Sequence, residues 1–414
     1  MRRCFMIEIM KRIIGILLVL CCLTPTYGQK ALKTLRSYVK AKNTTEALKQ
    51  LEKLEKDSVA GGLPQLYDLG KQVQMLLNDA ENEKIYLKQA YDTASFFKTT
   101  GGIYDYILKC ESQEQRLLAE EGKKMKFHKE NGEILHRYYD NLSAGGRYFF
   151  SRKNYADAMS LLKMYLDIPQ QPIWGADKSV TRTRVYVNNA YLYQKSAYLN
   201  KNYDEVGRYK DITLNDTSVQ RRMALEYLVL TAEVKSDTTN YRKYLENGVE
   251  EYPADAFFFT RLVDYFAGRK DYDKVYELSK EALEKDSTDV VALEAQSLAL
   301  MNKRQDDEAI AVAKKCLEVD STLADAYYYV GAAYCNLALD VNVPVNINTK
   351  AYRKAVAEQK GYYASAQPYM EKYRQLAPEE KERWAPLLYR IYFALNLGSE
   401  FEEIEKITQT IKTQ

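Results

Sequence analysis

The sequence predicts an all-α protein, built as a solenoid of stacked antiparallel helix pairs. Its 414 residues include only nine Pro and 18 Gly, which favours long helices over a turn-rich β architecture. Hydrophobic residues make up 46% of the chain and charged residues 28%, so the chain can bury a sizeable core. Segments spaced 34 residues apart repeat one layout, and a period of that length is typical of a repeat architecture.

The first 28 residues have the layout of a secretory signal peptide. Residues 10–12 form a basic start, and residues 13–23 form an apolar run that is shorter than the roughly 20 residues of a membrane-spanning helix. Thr26 and Gly28 stand at the −3 and −1 positions of a cleavage site. We therefore expect export, with no membrane span after cleavage, and an uncleaved N-terminal anchor is the alternative.

Composition and motifs argue against several function classes. Without residues 1–28 the chain has equal numbers of basic and acidic residues, so it lacks the positive field of a nucleic-acid-binding protein. His128 and His136 have no third ligand nearby in sequence, which argues against a zinc site. The three cysteines beyond residue 28 suggest no disulfide framework, and Cys316 is expected to pack in the core. No nucleotide-binding, serine-hydrolase or zinc-protease motif occurs, so we predict neither catalysis nor a cofactor.

The period of 34 residues is the strongest pattern in the sequence. It relates three pairs of residues: Val275 and Ala309, Ala282 and Cys316, and Ser287 and Ser321. Within the unit 256–289, apolar residues recur at i, i+3, i+4 and i+7 in two segments, which predicts two helices joined by a turn. Small residues occupy matching positions where two helices would approach closely. These are Gly146, Ser297 and Gly331 on first helices, and Ala158, Ala309 and Ala366 on second helices.

This pattern resembles the tetratricopeptide repeat (TPR), and the resemblance covers most of the chain beyond the signal peptide. It implies a right-handed α-solenoid, a TPR-like superhelix. We place units at 139–172, 187–220, 222–255, 256–289, 290–323 and 324 to about 380, followed by a capping helix pair at 381–414. Residues 29–138 are interpreted as degenerate repeats of the same kind, and a separate small helical domain is the alternative.

Two insertions interrupt the array at 139–380. The first, 173–186, carries Trp174 and is interpreted as a loop with an anchoring aromatic side chain. The second, at about 335–364, is predicted as a loop followed by a short helix over 349–359. Insertions in solenoids lie on one face and often serve binding.

Three finer expectations concern individual helices. In the N-terminal third, separate helices are predicted at 63–77, 85–97 and 103–118. In the unit 187–220, the second helix is predicted to begin at 203–206. Successive helical residues point about 100° apart, so one ring of each aromatic triple should lie in the core. These core rings are predicted to be Phe259 and Tyr327.

The resemblance implies that particular first-helix positions line a concave surface. Carried onto this sequence, the candidate partner-binding residues are Tyr191, Lys195, Tyr198, Glu226, Asp264, Glu294 and Tyr328. Tyrosines towards the ends and carboxylates in the middle predict a groove for an extended, neutral or mildly basic peptide. The family's clamp for a peptide carboxylate requires more basic residues than Lys195 and Arg147, so a receptor of that type is not expected.

The signal peptide and the resemblance together imply a non-enzymatic scaffold or assembly factor of a Gram-negative cell envelope. We expect it to be periplasmic, outer-membrane-associated or secreted, and to bind a protein or peptide. The alternative is a glycan-binding or nutrient-receptor accessory module of the outer membrane, for which Trp174 is the best contact residue.

Overall fold

The computed structural model describes residues 32–413, so the predicted signal peptide at 1–28 lies outside the described residues. Within 32–413 the regular elements are helices and no strand occurs, which confirms the predicted all-α class. Within each of two units, consecutive helices pack against each other and are joined mostly by short turns. The chain forms two compact units that divide between Ser236 and Asp237, inside the repeat predicted at 222–255.

The first unit contains α1 to α9. Within the described residues α1 covers 32–40. The others are α2 (Thr44–Glu55), α3 (Pro64–Tyr86), α4 (Thr93–Glu121), α5 (His128–Ser151), α6 (Tyr155–Asp167), α7 (Arg184–Leu199), α8 (Lys210–Leu214) and α9 (Val219–Val234). Leu35, Leu51 and Leu66 belong to an apolar cluster that joins α1, α2 and α3. Each of these helices therefore buries an apolar face against its neighbours, as a stacked repeat requires.

The N-terminal third differs from its prediction in helix length. Instead of three separate helices between residues 63 and 118, the chain forms the two long helices α3 and α4. Gly101 and Gly102 lie inside α4, where an added Cβ would come within 2.8 Å of the Leu161 side chain and 2.6 Å of the Gln74 side chain, respectively. These glycines allow close packing, a role that sequence pattern alone does not separate from helix termination.

The repeat predicted at 187–220 lacks a full second helix. Residues 203–209 form turns where the sequence predicts the start of that helix, and only the short α8 follows. Gly207 would cost about 1 kcal/mol in a helix interior. The Tyr209 hydroxyl donates a hydrogen bond to Asp167 at 2.6 Å, which ties the turn to the end of α6. This tertiary hydrogen bond has no counterpart in the sequence pattern.

The second unit contains α10 to α18. They are α10 (Thr238–Glu251), α11 (Ala256–Ala267), α12 (Tyr272–Lys285), α13 (Val290–Asn302), α14 (Asp306–Val319), α15 (Ala324–Asp340), α16 (Lys350–Leu376), α17 (Lys381–Leu395) and α18 (Gly398–Thr413). Phe259 is buried as predicted, but Tyr327 is only partly buried and Tyr329 takes the core position. Tyr329 shares a helix face with the buried Ala326 and Val330, and this spacing decides which ring of the triple faces inwards.

Small residues allow the helices of a pair to approach closely, as predicted. All six matching positions are buried: Gly146, Ala158, Ser297, Ala309, Gly331 and Ala366. A Cβ at Gly146 would lie 2.5 Å from the Leu162 side chain, and a Cβ at Gly331 would lie 2.5 Å from the Met370 sulfur. The 34-residue period therefore reflects the spacing of close helix contacts.

The segment predicted as an insertion at about 335–364 is mostly helical. α15 continues to Asp340, residues 341–349 form an irregular segment, and α16 then runs to Leu376 without a break. The sequence predicts a short helix over 349–359 instead. Residues 350–360 are mainly good helix formers, and Tyr363 and Met370 continue a buried face, so the two predicted helices merge into one.

Candidate partner-binding surface

In the first unit, three tyrosines from α7 and α9 form one cluster. Tyr227 lies between Tyr191 and Tyr198, with ring-centroid distances of 6.3 and 5.2 Å. Tyr191 is only 8% exposed, and burial raises the pKa of its phenol to about 12. Tyr198 is half-buried and lies 5.7 Å from the Tyr203 ring. Tyr198 and Tyr227 therefore offer more ring surface to a partner than Tyr191 does.

The charged candidates of the first unit already have neighbours within the unit. The Lys195 ammonium lies 5.6 Å from the centroid of the Phe150 ring, a cation–π distance. Glu226 forms an i,i+4 ion pair with Arg222 on α9. A partner that binds Glu226 must therefore compete with an existing ion pair.

In the second unit, Asp264 on α11 is exposed, and its carboxylate forms no ion pair with the part of the chain that the structure describes. The nearby Arg261 instead places its guanidinium 4.0 Å from the centroid of the Phe257 ring. Asp264 is thus available for a partner's charge, but in an exposed setting where an ion pair contributes little.

Glu294 and Tyr328 lie in a denser arrangement in the same unit. Tyr328 on α15 has the Arg383 guanidinium 4.1 Å from its ring centroid and the Tyr373 ring at 5.2 Å. Arg383, from α17, also forms an ion pair with Asp325 at 2.7 Å. Burial raises the pKa of Glu294 to about 7, and the negative charges of Asp325 and Asp320 add to that shift. We call Asp325, Tyr328, Tyr373 and Arg383 the acidic tyrosine cluster.

The raised pKa of Glu294 makes the stability of the second unit pH-dependent. The folded protein binds the Glu294 proton more tightly than the unfolded chain, whose carboxyl titrates near its ordinary pKa of 4.5. The free energy of unfolding should therefore fall as the pH rises from about 4.5 to about 7. Glu294→Gln should flatten this part of the profile, as measured by urea denaturation at a series of pH values. If the free energy of unfolding of Glu294→Gln falls between about pH 4.5 and 7 as steeply as that of the exposed control Glu284→Gln, Glu294 is not the cause of this pH dependence.

Four residues of these clusters are missing from the predicted binding residues: Tyr227, Asp325, Tyr373 and Arg383. Asp325 lies three residues before Tyr328 on the same face of α15, so a wider search of that face would have found it. Tyr227 directly follows Glu226 and points about 100° away from it, so the spacing of the candidate positions does not indicate Tyr227. Arg383 comes from α17, outside the repeats at 139–380, and nothing in the period indicates that it reaches Tyr328. The seven predicted residues fall into two groups, with Tyr191, Lys195, Tyr198 and Glu226 in the first unit and Asp264, Glu294 and Tyr328 in the second.

The two histidines contact neighbouring residues, and the three cysteines within 32–413 are buried. His128 Nδ1 lies 2.8 Å from Glu111 Oε1, and His136 Nε2 lies 3.0 Å from the carbonyl oxygen of Trp174. The free thiols Cys110, Cys316 and Cys335 are buried, and burial raises the pKa of each to about 12. No group of three potential metal ligands occurs in residues 32–413, and none of the helices described there has the length and apolar character of a membrane span.

Trp174 anchors the segment at 173–186. Its ring is 7% exposed and lies 3.9 Å from the His136 ring and 4.6 Å from the Tyr139 ring. Its indole N–H donates a hydrogen bond to the carbonyl oxygen of Asp177 at 2.9 Å. The ring is therefore part of the packing between α5 and this segment, and not an exposed platform.

No family model matches this chain, and none of the curated proteins matches it. Among solved structures, it is similar to the C-terminal part of a TPR repeat-containing protein from Cytophaga hutchinsonii, at 13% identity, covering 66% of this chain and 93% of that chain, with a TM-score of 0.39. It is also similar to YrrB, described as a TPR protein with an unusual peptide-binding site (16% identity, 47% and 93% coverage, TM-score 0.30). MamA of AMB-1 is a further similar structure (15% identity, 47% and 94% coverage, TM-score 0.32). Because these TM-scores and identities are low, the description of the fold as stacked helix pairs depends on the helix packing within this chain.

Proposed function

We propose that this protein is a non-enzymatic scaffold that binds an extended segment of a protein partner along its first-helix faces. One observation carries the proposal. In each unit, half-buried tyrosines at first-helix positions have charged neighbours. In the first unit, Tyr198 and Tyr227 lie 5.2 Å apart, and the charge of Glu226 acts on Tyr227. In the second, the Arg383 guanidinium lies 4.1 Å from the centroid of the Tyr328 ring. Amphipathic rings next to charges are typical of the contact surfaces of protein interfaces.

We extend this proposal to an assembly or scaffolding role in the envelope of a Gram-negative bacterium. Its support is the signal-peptide layout of residues 1–28, which lie outside the described residues, together with the repeat pattern. A direct check is mass spectrometry of the protein purified from envelope fractions. A chain that begins at or near Gln29 supports export, and an intact N-terminus in the cytoplasmic fraction contradicts it.

We do not extend the proposal to glycan binding. Sugar rings require exposed aromatic faces, and Trp174, the residue expected to provide one, is packed against His136 and Tyr139.

Charge reversal tests the proposed surface. The double variant Glu226→Lys/Glu294→Lys should lower partner recovery about thirtyfold, because each lost charge contact contributes about 1 kcal/mol and two together correspond to about one and a half decades of affinity. The measurement is recovery of protein crosslinked through a photoreactive residue at Tyr198, quantified from envelope fractions. The crosslinking position limits the signal to partners that lie on this face.

The matched control changes the net charge by the same amount elsewhere. Glu281 and Glu284 are exposed on α12, and neither lies among the predicted binding residues. Glu281→Lys/Glu284→Lys should leave the crosslinked yield within about twofold of the wild type, since scattered surface changes have small effects. If both double variants lose the crosslinked yield equally, the change in net charge is responsible and not the position of the charges. If both keep the wild-type yield, Glu226 and Glu294 do not contact the partner, which contradicts the proposed surface.

A further inference from the structure

The segment between α15 and α16 carries apolar side chains that the fold does not bury. Val345 is 99% exposed and Ile347 is 63% exposed, and Leu339 in the last turn of α15 is 51% exposed. Residues 341–349 include no charged residue. A single exposed apolar residue needs no explanation, whereas several grouped together mark an interaction surface. The proposed partner surface on the first helices does not include this segment, so its role is separate.

Hydrogen bonds hold the exposed tip of this segment in a defined turn. Asn346 accepts from two backbone N–H groups, from that of Asn348 at Oδ1 (3.1 Å) and from that of Thr349 at its carbonyl oxygen (3.3 Å). The Thr349 hydroxyl accepts from the Tyr352 N–H at 3.0 Å and caps α16. Ile347 lies within this turn and is therefore presented at a fixed place beside the start of α16. A surface that is ordered before binding loses less conformational entropy when it docks.

Basic side chains follow the apolar tip directly. They are exposed on the first two turns of α16: Lys350, Arg353 and Lys354. None of the three forms an ion pair with residues 32–413, and residues 341–357 include no acidic residue. The carboxylate that precedes the tip in sequence, that of Asp340, is already paired with Arg304 at 2.7 Å. A helix rises about 1.5 Å per residue, so the three basic residues lie within about 6 Å of the helix start along its axis.

We propose that residues 341–354 dock the protein peripherally on an anionic lipid surface. α15 and α16 pack against each other, so the segment that joins them lies at one end of the helix pair, where a flat surface can reach it. Val345 and Ile347 enter the boundary between headgroups and acyl chains, as the apolar side chains of interfacial segments do. The basic side chains of α16 attract the anionic headgroups at the same time.

The charges favour a lipid surface over a groove on another protein. An apolar groove would accept the tip, but it gives no reason for three basic side chains without an ion-pair partner beside it. An anionic bilayer offers an apolar layer and a layer of negative charge next to each other, which matches the tip and the first turns of α16. This docking adds to the proposed scaffold function and does not depend on it.

Vesicle flotation tests the docking directly. The chain 29–414 is used, which includes every described residue, so that the apolar run at 13–23 cannot bind the vesicles itself. The partition coefficient should be at least about tenfold higher for vesicles of phosphatidylcholine with about 30% phosphatidylglycerol than for phosphatidylcholine alone. Added salt should weaken the binding, because it screens the headgroup charges.

Two pairs of variants locate the contact. Val345→Ser/Ile347→Ser should lower the partition coefficient at least about tenfold, since the apolar contact with the bilayer is lost. Val219→Ser, at a 75% exposed valine of α9, is its control and should stay within about twofold of the wild type. The triple variant Lys350→Gln/Arg353→Gln/Lys354→Gln should bind anionic vesicles no better than neutral ones. Its control, with the same change at three exposed lysines of α12 and α14, should keep the preference: Lys280→Gln/Lys285→Gln/Lys315→Gln.

Three outcomes overturn the docking. They are a wild-type chain that does not float with anionic vesicles, full binding retained in Val345→Ser/Ile347→Ser, and equal loss in the two triple variants. Circular dichroism of each variant checks that the helix content is unchanged, as expected for exposed positions. If the wild-type chain does not float while crosslinking through Tyr198 still recovers a partner, the lipid docking alone fails and the proposed function stands.

Discussion

Phe258→Ala should lower the free energy of unfolding of the second unit by about 3–5 kcal/mol, the usual range for removing a buried aromatic ring. Phe258 has no exposed surface and lies against Gly248 of α10, where an added Cβ would be 2.2 Å from the ring. The ring therefore fills the space that the glycine leaves, and its removal opens a cavity between α10 and α11. Urea denaturation followed by circular dichroism measures the loss.

The same pair of residues allows a double-mutant cycle. Gly248→Ala alone should destabilise the unit by about 1–3 kcal/mol, because the new methyl group has no room beside the ring. In Gly248→Ala/Phe258→Ala the methyl group enters the cavity, so the double variant should lose less stability than the sum of the two single variants. Simple additivity would show that the two residues do not share one packing space. Phe393→Ala, at a ring that is 67% exposed, is the control and should change stability by less than about 0.5 kcal/mol.

Asp68→Ala should destabilise the first unit by about 3–5 kcal/mol, because it leaves a buried lysine without its main counter-charge. The Lys71 side chain is 1% exposed, and its ammonium lies 2.8 Å from Asp68 Oδ1 and 2.8 Å from Asn131 Oδ1. Asn131 carries no charge, and the Glu130 carboxylate, at 3.4 Å, belongs to a side chain that is 64% exposed, so neither replaces the Asp68 carboxylate fully. Urea denaturation of the variant measures this loss.

Two comparisons separate charge burial from the loss of a side chain. Lys56 and Glu52 form an exposed i,i+4 pair at 2.7 Å, and Glu52→Ala should leave the free energy of unfolding nearly unchanged. Adding Lys71→Met to Asp68→Ala should recover much of the lost stability, since it removes a buried charge that Glu130 compensates only in part and keeps the apolar stem. If the double variant is no more stable than Asp68→Ala, the buried charge is not the cause.

The repeat pattern allowed much of the second unit to be predicted, because close helix contacts recur at a fixed interval. Ser297, Gly331 and Ala366 could be assigned to helix contacts from spacing alone, and all three are buried. The N-terminal third could not be divided correctly in the same way. Gly101 and Gly102 were indistinguishable from helix terminators until the side chains opposite them were known.

The candidate site was predictable to a different extent. The resemblance to the tetratricopeptide repeat, carried onto the first helices, implies Tyr198, Glu294 and Tyr328 as partner contacts, and these roles stay predictions. It did not show that Tyr191 is buried, because burial depends on the neighbouring α9.

The sequence by itself determined the all-α class and the close helix contacts of the repeat units, because helical periodicity and small residues at contact points are local and repeated. Only the tertiary structure decided that Arg383 reaches Asp325 and Tyr328 from a different helix, 58 residues further along the chain than Asp325. Such a contact does not recur at the repeat interval, and it does not follow from the spacing of residues within one helix. The physical reason is that side-chain pairing across packed helices depends on how neighbouring elements lie in space, which the pattern along the chain does not encode.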